Sequence, residues 1–424
     1  MAIPSSYAST ASAALKGMSY PVALCALTSL FFLWGFVTSL NDILIPHLKA
    51  VFELSYFQAM AVNMAFFGAY ALVSYPASLH VRRHGYQAGL ITGLVVAGTG
   101  ALLFAWTSTH LSYGLTLTAL FVLASGITLL QVAANPYVIH LGKAEQASTR
   151  LTMTQAFNSL GTTLAPALGA ALILSQLEPA TADLTTAQLV DLNLEKAARV
   201  QWPYLVLTAL LFSLALIFSR LKLPQIMQDT SAPPASLRSL LQQRHLTLGV
   251  VAIFAYVGAE VGIGSFMVNY FAEPAIGAMT EHQAASFVSW YWGGALVGRF
   301  IGIPLLNRIA PATILTFNAL AAVICLLISI NSAGWLAVYS LVLVGLFNSI
   351  MFPTIFSLAL HKLGALSSQG SGLLCIAIVG GAILPMLQGL LADHIGIQLA
   401  FILPLLCYLY IAGYGRVGYK IREH

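Results

Sequence analysis

Long apolar runs separated by short polar connections fill the chain from about residue 21 onward. Each run is long enough to cross a hydrocarbon core of ~30 Å as a helix. Twelve spans are predicted, near 21–50, 56–81, 87–108, 112–140, 151–175, 202–219, 247–271, 284–306, 311–331, 334–360, 371–393 and 397–415. A transmembrane β-barrel would show segments of about ten residues with alternating polarity, and that pattern is absent. Two connections are long, 176–201 and 220–246. The second carries Pro224, Pro233, Pro234 and four basic residues, and it divides the chain into two sets of six spans. The expected organisation is a cytoplasmic tail (1–20), a six-helix half (21–219), a cytoplasmic linker (220–246), a second six-helix half (247–415) and a tail (416–424).

The two halves repeat one another. Gln131 stands five residues before Pro136 in span four, and Asn348 five before Pro353 in span ten. Gly161 precedes Pro166 in span five as Gly380 precedes Pro385 in span eleven. Gly68 to Arg83 in span two has the same separation as Gly293 to Arg308 in span eight. The order is kept while loop lengths differ, which predicts a duplicated six-helix unit in parallel orientation. Two such halves facing each other across a central site is a transporter architecture.

Composition supports lipid as the solvent. The 424 residues are 59% hydrophobic and 7% charged, with mean hydropathy +0.86, against about 25% charged in soluble domains. With an inside N-terminus, the cytoplasmic side holds Lys16, Arg82, Arg83, Lys143, Arg150, Arg220, Lys222, Arg238, Arg244, Arg308, Lys362, Arg416, Lys420 and Arg422. Only Lys49, Lys196 and Arg199 fall opposite, and Arg299 lies within a span. That asymmetry places both termini in the cytoplasm. The net charge of +5 therefore reflects topology and not a nucleic-acid partner. Cys25, Cys325, Cys375 and Cys407 all lie in apolar runs, without metal-ligand spacing, and read as small buried hydrophobes.

Polar side chains inside the spans are the candidates for chemistry. Spans three, six, nine and twelve carry few, Asn318 being the main exception, and suit lipid contact. Asn41 and Asp42, Gln131, Asn135, Gln155, Asn158, Glu260, Asn269 and Asn348 fall in spans one, four, five, seven and ten. Hydrocarbon offers them no partner, so one central polar cavity is the economical arrangement. A carboxylate in a membrane span is costly and reads first as functional. Asp42 is the candidate carrier of a proton or ligand of a cation, and Glu260 the second deep acid, for ion or sugar. Amides donate and accept at once, which matches sugar hydroxyls. Gln131, Gln155, Asn158, Asn41 and Asn348 are the candidate substrate ligands, and Asn135, beside Pro136, reads as structural. Trp34 offers a ring for a sugar face. Trp290 to Trp292 read as interface anchors, and Arg299 as structural or gating. No metal-ligand cluster, phosphate loop or nucleophile–base pair appears, which argues against an enzyme and against ATP-driven transport by this chain alone.

These residues resemble the fucose:proton symporter family of the major facilitator superfamily, and within it the bacterial glucose/galactose transporters. The resemblance runs over nearly all twelve spans. It is carried by FFLWGFVTSLNDILIPHLK (31–49), LLQVAANPYV (129–138), QAFNSLGTTLAP (155–166), YVGAEVGIGSFMVNYF (256–271) and FPTIFSLAL (352–360). It implies an all-α major facilitator fold, alternating access by rocking of the two halves, and sugar at the midplane. It implies Asp42 as a coupling carboxylate and Asn158 as a sugar ligand. The chain departs from the fucose permeases at Gln131, where they place a glutamate, and at Glu260, where they tend to have glutamine. Both changes resemble the glucose/galactose branch. The expectation is a monomeric importer of a hexose, glucose or galactose, by proton symport in the bacterial inner membrane, surrounded by lipid and without a cofactor. Sodium as the coupling ion stays open, as do fucose, mannose and N-acetylglucosamine as substrates. A drug efflux carrier and a sugar sensor that does not transport are the remote alternatives.

Overall fold

The structure is a computed structural model that describes residues 19–52, 56–107, 112–169, 200–226 and 235–421. Within its helices the side chains of 40–51 and 166–169, among a few others, lie outside the description. The first six long helices are α1 (Tyr20–Val51), α2 (Tyr56–His84), α3 (Tyr86–Thr107), α4 (Tyr113–His140), α5 (Ala147–Gly169) and α6 (Gln201–Arg220). A short helix, Leu237–Leu241, lies in the linker. The second six are α7 (Arg244–Ala272), α8 (Glu281–Leu306), α9 (Pro311–Asn331), α10 (Gly334–Ala359), α11 (Gly364–Ile395) and α12 (Ile397–Gly418).

Nine stretches among the described residues are long and apolar enough to cross a membrane. The helices outside that set are α2, α5 and α8. They carry Ser74, Ser78, Thr152, Gln155, Asn158 and Arg299, which face protein and so need no uniformly apolar surface. Helix α1 packs on α5, α2 on α4, and α3 between α4 and α6; in the second set α7 packs on α11 and α12, and α8 and α9 on α10. Between the sets, α2 lies on α11 and α5 on α8 and α10.

Burial follows the polarity of the spans, with one departure. The apolar windows of α4 and α10 are 72% and 67% buried, against 33% for α6 and 44% for α9, so α6 and α9 are the outer helices. Asn318 on α9 turns inward and donates from Nδ2 to the Phe347 carbonyl at 3.1 Å. Helix α3 is more covered than its composition predicts, at 56%, because α6 shields its outer side.

The repeat is visible in the packing itself. A Cβ on Gly161 of α5 would run into the main-chain carbonyl of Phe32 on α1, and one on Gly380 of α11 into the carbonyl of Phe254 on α7. Both pairs thus touch at backbone distance, the contact that small residues permit in membrane bundles. Gly68 and Gly293, also a repeat pair, have nothing within 4 Å of a Cβ.

The two sets of helices are joined where the linker attaches. Ser148 at the start of α5 meets Ser357 at the end of α10. Thr149 donates to Asn307 Oδ1 at 3.1 Å, and Ser371 of α11 to the Val132 carbonyl of α4 at 3.0 Å. Gly372 lies against Ser74 and Ser78 of α2. The linker is clipped to the same place, since Gln369 accepts from Ala235 N and donates to Ala235 O, both at 3.1 Å.

The glycines give opposite expectations for one substitution. Gly161→Ala and Gly380→Ala force backbone apart and should each cost about 1–3 kcal/mol. Gly68→Ala and Gly293→Ala gain helix propensity and should stabilise by roughly 0.5–1 kcal/mol. Thermal melts of the four purified variants check the signs; equal effects would mean the α1–α5 and α7–α11 contacts are not tight.

Candidate functional site

A cavity of about 210 Å³ lies between the two sets of helices. From the first set it is lined by Trp34, Thr38, Tyr70, Gln131, Gln155, Asn158, Ser159 and Thr162; from the second by Tyr256, Val257, Glu260, Trp292, Arg299, Phe352 and Ile378. A larger space of about 470 Å³ opens at the α2–α3 turn, beside Arg82, Arg83 and His84. It lies at the linker end and away from the polar spans, and Gln87 on its wall is committed to the carbonyls of Phe218 and Leu221, 2.7 Å each. The chemistry therefore belongs to the smaller cavity.

The first set presents amides with spare capacity. Gln131 donates from Nε2 to the Tyr70 hydroxyl at 2.8 Å, while its Oε1 is buried without a hydrogen-bond partner. Gln155 is buried with Nε2 unpartnered. One acceptor and one donor thus stand unused on adjacent helices. Each costs about 1–3 kcal/mol in that condition, a cost that a ligand or water in the cavity removes. Asn158 donates from Nδ2 to the Phe31 carbonyl of α1 at 3.0 Å. That bond is local to the tight α1–α5 crossing, where a Cβ on Gly35 would strike Asn158.

The second set presents a saturated network. Asn348 donates from Nδ2 to the Tyr291 hydroxyl at 2.6 Å and accepts at Oδ1 from the Tyr408 hydroxyl at 2.7 Å. Tyr291 in turn donates to the Glu260 carbonyl at 3.3 Å. The Tyr256 hydroxyl lies 2.7 Å from Glu260 Oε1 and 3.1 Å from the Asn348 carbonyl. Buried chains of this kind strengthen one another and fix geometry. They hold the backbone and the carboxylate of Glu260 at the cavity wall.

The sequence candidates divide accordingly. Gln131, Gln155, Asn158 and Glu260 come together at one cavity, with Trp34 and Arg299. Asn348 does not line it: the residue is fully buried behind the wall and its amide is used by tyrosines, which corrects its placement as a substrate ligand. The Trp290–Trp292 group also splits. Trp290 is 70% exposed on the outside, Tyr291 is buried, and Trp292 faces the cavity, since three consecutive helical residues point in three directions. Asn135 is fully buried with both amide atoms unpartnered and lies off the cavity lining. Backbone continues helically through Asn41 and Asp42, whose side chains lie outside the described residues. Tyr70, Tyr256, Ser159 and Thr162 were not singled out by sequence. Their signal would have been position, four residues from Glu260 for Tyr256 and one and four from Asn158 for Ser159 and Thr162.

Against known proteins, the model of the Major Facilitator Superfamily matches residues 27–378. The chain belongs to the major facilitator superfamily. It is 53% identical over 403 residues to a glucose/galactose transporter of Brucella abortus biovar 1 (strain 9-941), covering 95% of each chain. It is 35% identical over 412 residues to the L-fucose-proton symporter of Escherichia coli (strain K12), covering 95% of this chain and 94% of that one. Its fold matches the crystal structure of the transporter FucP in the outward conformation with a TM-score of 0.87 at 34% identity, over 94% of this chain and 99% of that one. Membership makes the protein a membrane transporter and not an enzyme, and the twelve helices are those of the superfamily.

Stability should separate the two kinds of amide in this superfamily member. Without ligand, Asn348→Leu strips partners from buried tyrosines and should cost about 2–4 kcal/mol. Gln155→Leu removes an amide whose donor is unpartnered and should leave the melting temperature unchanged or raised. A comparable fall in both would mean that Gln155 is a packing residue.

Proposed function

We propose that the protein imports a hexose, glucose or galactose, by proton symport across the bacterial inner membrane, with both termini cytoplasmic. The observation that carries the sugar reading is the unpartnered pair of Gln131 Oε1 and Gln155 Nε2 in one cavity. A hydroxyl donates and accepts at once, so sugar hydroxyls can satisfy both. Trp34 and Trp292 supply aromatic faces on opposite walls. The small volume suits a monosaccharide; drug-sized ligands occupy clefts of roughly 300–1,000 Å³, which disfavours drug efflux. The name of the Brucella relative supports glucose and galactose over fucose.

Proton coupling is supported by the hydroxyl of Tyr256. It has one proton to give and two acceptors within reach, Glu260 Oε1 and the Asn348 carbonyl. Both are satisfied together when Glu260 carries a proton and donates it to Tyr256. Glu260 is thus the proposed proton site of the second half, and Asp42 that of the first. The charge asymmetry of the loops supports the orientation. The structure, joined at the linker end, is then the outward-facing state of an alternating-access cycle.

Proteoliposomes test this reading. Counterflow should exchange labelled glucose or galactose, and an inward proton gradient should drive accumulation. Glu260→Gln keeps a donor to Tyr256 at all pH values; it should retain counterflow while losing pH-driven accumulation by about tenfold or more, and Asp42→Asn should do the same. Accumulation driven by a sodium gradient at constant pH would replace the proton with sodium, and counterflow of neither sugar would overturn the substrate.

A further inference from the structure

Pro136 and Pro353 occupy matching points of the repeat, 217 residues apart. Neither has an N–H, so each deprives the carbonyl four residues earlier of its helical donor. Those carbonyls belong to Val132 and Ser349. In a membrane protein such groups must find another donor, and both do. Ser371 Oγ on α11 caps the Val132 carbonyl at 3.0 Å, across the two halves. Arg299 Nε on α8 caps the Ser349 carbonyl at 3.0 Å, within its own half.

The second solution is not the one the repeat dictates. Gly161 and Gly380, which make equivalent packing contacts, are 219 residues apart, and the same offset takes Ser371 to Thr152. By symmetry the Thr152 hydroxyl on α5 would cap Ser349 across the halves. Instead Thr152 Oγ1 is fully buried and has no partner, while Arg299 holds the Ser349 carbonyl. The repeat counterpart of Arg299, 225 residues earlier, is Ser74, whose hydroxyl is also buried and unpartnered. A long cation thus fills one of two sites that the fold builds for short hydroxyls. The substitution adds a second bond, from Arg299 Nη1 to the Gln155 carbonyl on α5 at 3.1 Å. Gln155 is a cavity residue with a free side-chain donor, and Arg299 itself lines the cavity.

We infer that Arg299 is a positioning residue that makes closure of the linker end responsive to sugar, in place of a plain latch from Thr152 to Ser349 that would close the same end without sensing the cavity. The inference rests on the transport reading above. A ligand shifts a conformational equilibrium only through contacts that differ between the states. Sugar on Gln155 displaces the main chain that Arg299 grips, so binding and closure share one element. Without Arg299, Thr152 takes Ser349 and the latch persists but no longer reports occupancy.

The test uses the full chain in lipid, with the exposed Cys25 changed to alanine and spin labels on Lys143→Cys and Lys362→Cys, exposed residues at the linker end of each half. Distances are measured with and without saturating D-galactose or D-glucose, and binding is followed by tryptophan fluorescence. In the parent, sugar should change the ratio of open to closed linker ends by about tenfold. Arg299→Met should still close, and at sugar concentrations shown by fluorescence to saturate it the ratio should change by no more than about twofold. Thr152→Val alone should behave as the parent. Arg299→Met with Thr152→Val should be open with or without sugar, a non-additivity that a double-mutant cycle measures. Should Arg299→Met fail to fold, Arg299→Lys takes its place, since a single ammonium lacks the planar fork that spans two carbonyls. A full sugar response in Arg299→Met or Arg299→Lys overturns the inference, as does identity of the single and double variants. Counterflow on the parent separates the two readings: its absence defeats transport, whereas counterflow with an unchanged response defeats only the role of Arg299.

Discussion

A backbone carbonyl inside a bilayer cannot borrow a donor from solvent. Pro136 and Pro353 create that problem toward the C-terminal ends of α4 and α10, the most buried of the nine apolar spans, and the structure is arranged around its two solutions. The Val132 carbonyl is answered from the opposite half. The Ser349 carbonyl is answered from a neighbouring helix by a guanidinium that reaches the opposite half as well. Of the two residues that complete the helices, Ser371 joins the halves by that same bond and Arg299 by a second one to the Gln155 carbonyl. Helix integrity and contact between the halves thus draw on the same two side chains.

The halves share a plan and differ in how they use polar groups. The first leaves amide atoms of Gln131 and Gln155 unmatched at the cavity, at a cost to the empty protein. The second runs Tyr408, Asn348, Tyr291 and Glu260 behind the cavity wall into a single chain of hydrogen bonds. One wall recognises, and the other holds an ionisable group in fixed geometry. A duplicated fold accommodates this division because Gly161 and Gly380 keep the two helix pairs in equivalent contact while the residues above them diverge.

Much of the architecture was legible in the sequence. Apolar run length gave the spans, and repeated spacings of glycine and proline announced the duplication that the packing displays. Cost in hydrocarbon drew Gln131, Gln155, Asn158 and Glu260 to one cavity. The same reasoning failed for Asn348, because a buried amide is equally at home among tyrosines, and only the neighbours on α8 and α12 decide which. It failed at Trp292 because a one-residue step turns a helical side chain by about 100°, and apolar rings on every side leave the phase unmarked. Serine and threonine gave no signal either. Their hydroxyls bond to their own helix as readily as across an interface, so the Ser148–Ser357 meeting and the idle hydroxyl of Thr152 emerge only from three-dimensional packing.

The joint at the linker end is made of hydroxyls, an amide and glycine where an oily plug would also have served. Its thermodynamic character follows. Exposing apolar surface raises heat capacity and makes an equilibrium curve steeply with temperature, whereas exposing polar surface lowers it. Parting Ser148 from Ser357, Thr149 from Asn307 and Ser371 from Val132 uncovers groups of the second kind. Opening this joint should therefore carry a smaller heat-capacity increment than parting an apolar plug of the same area, so that the balance between open and closed passages curves less with temperature.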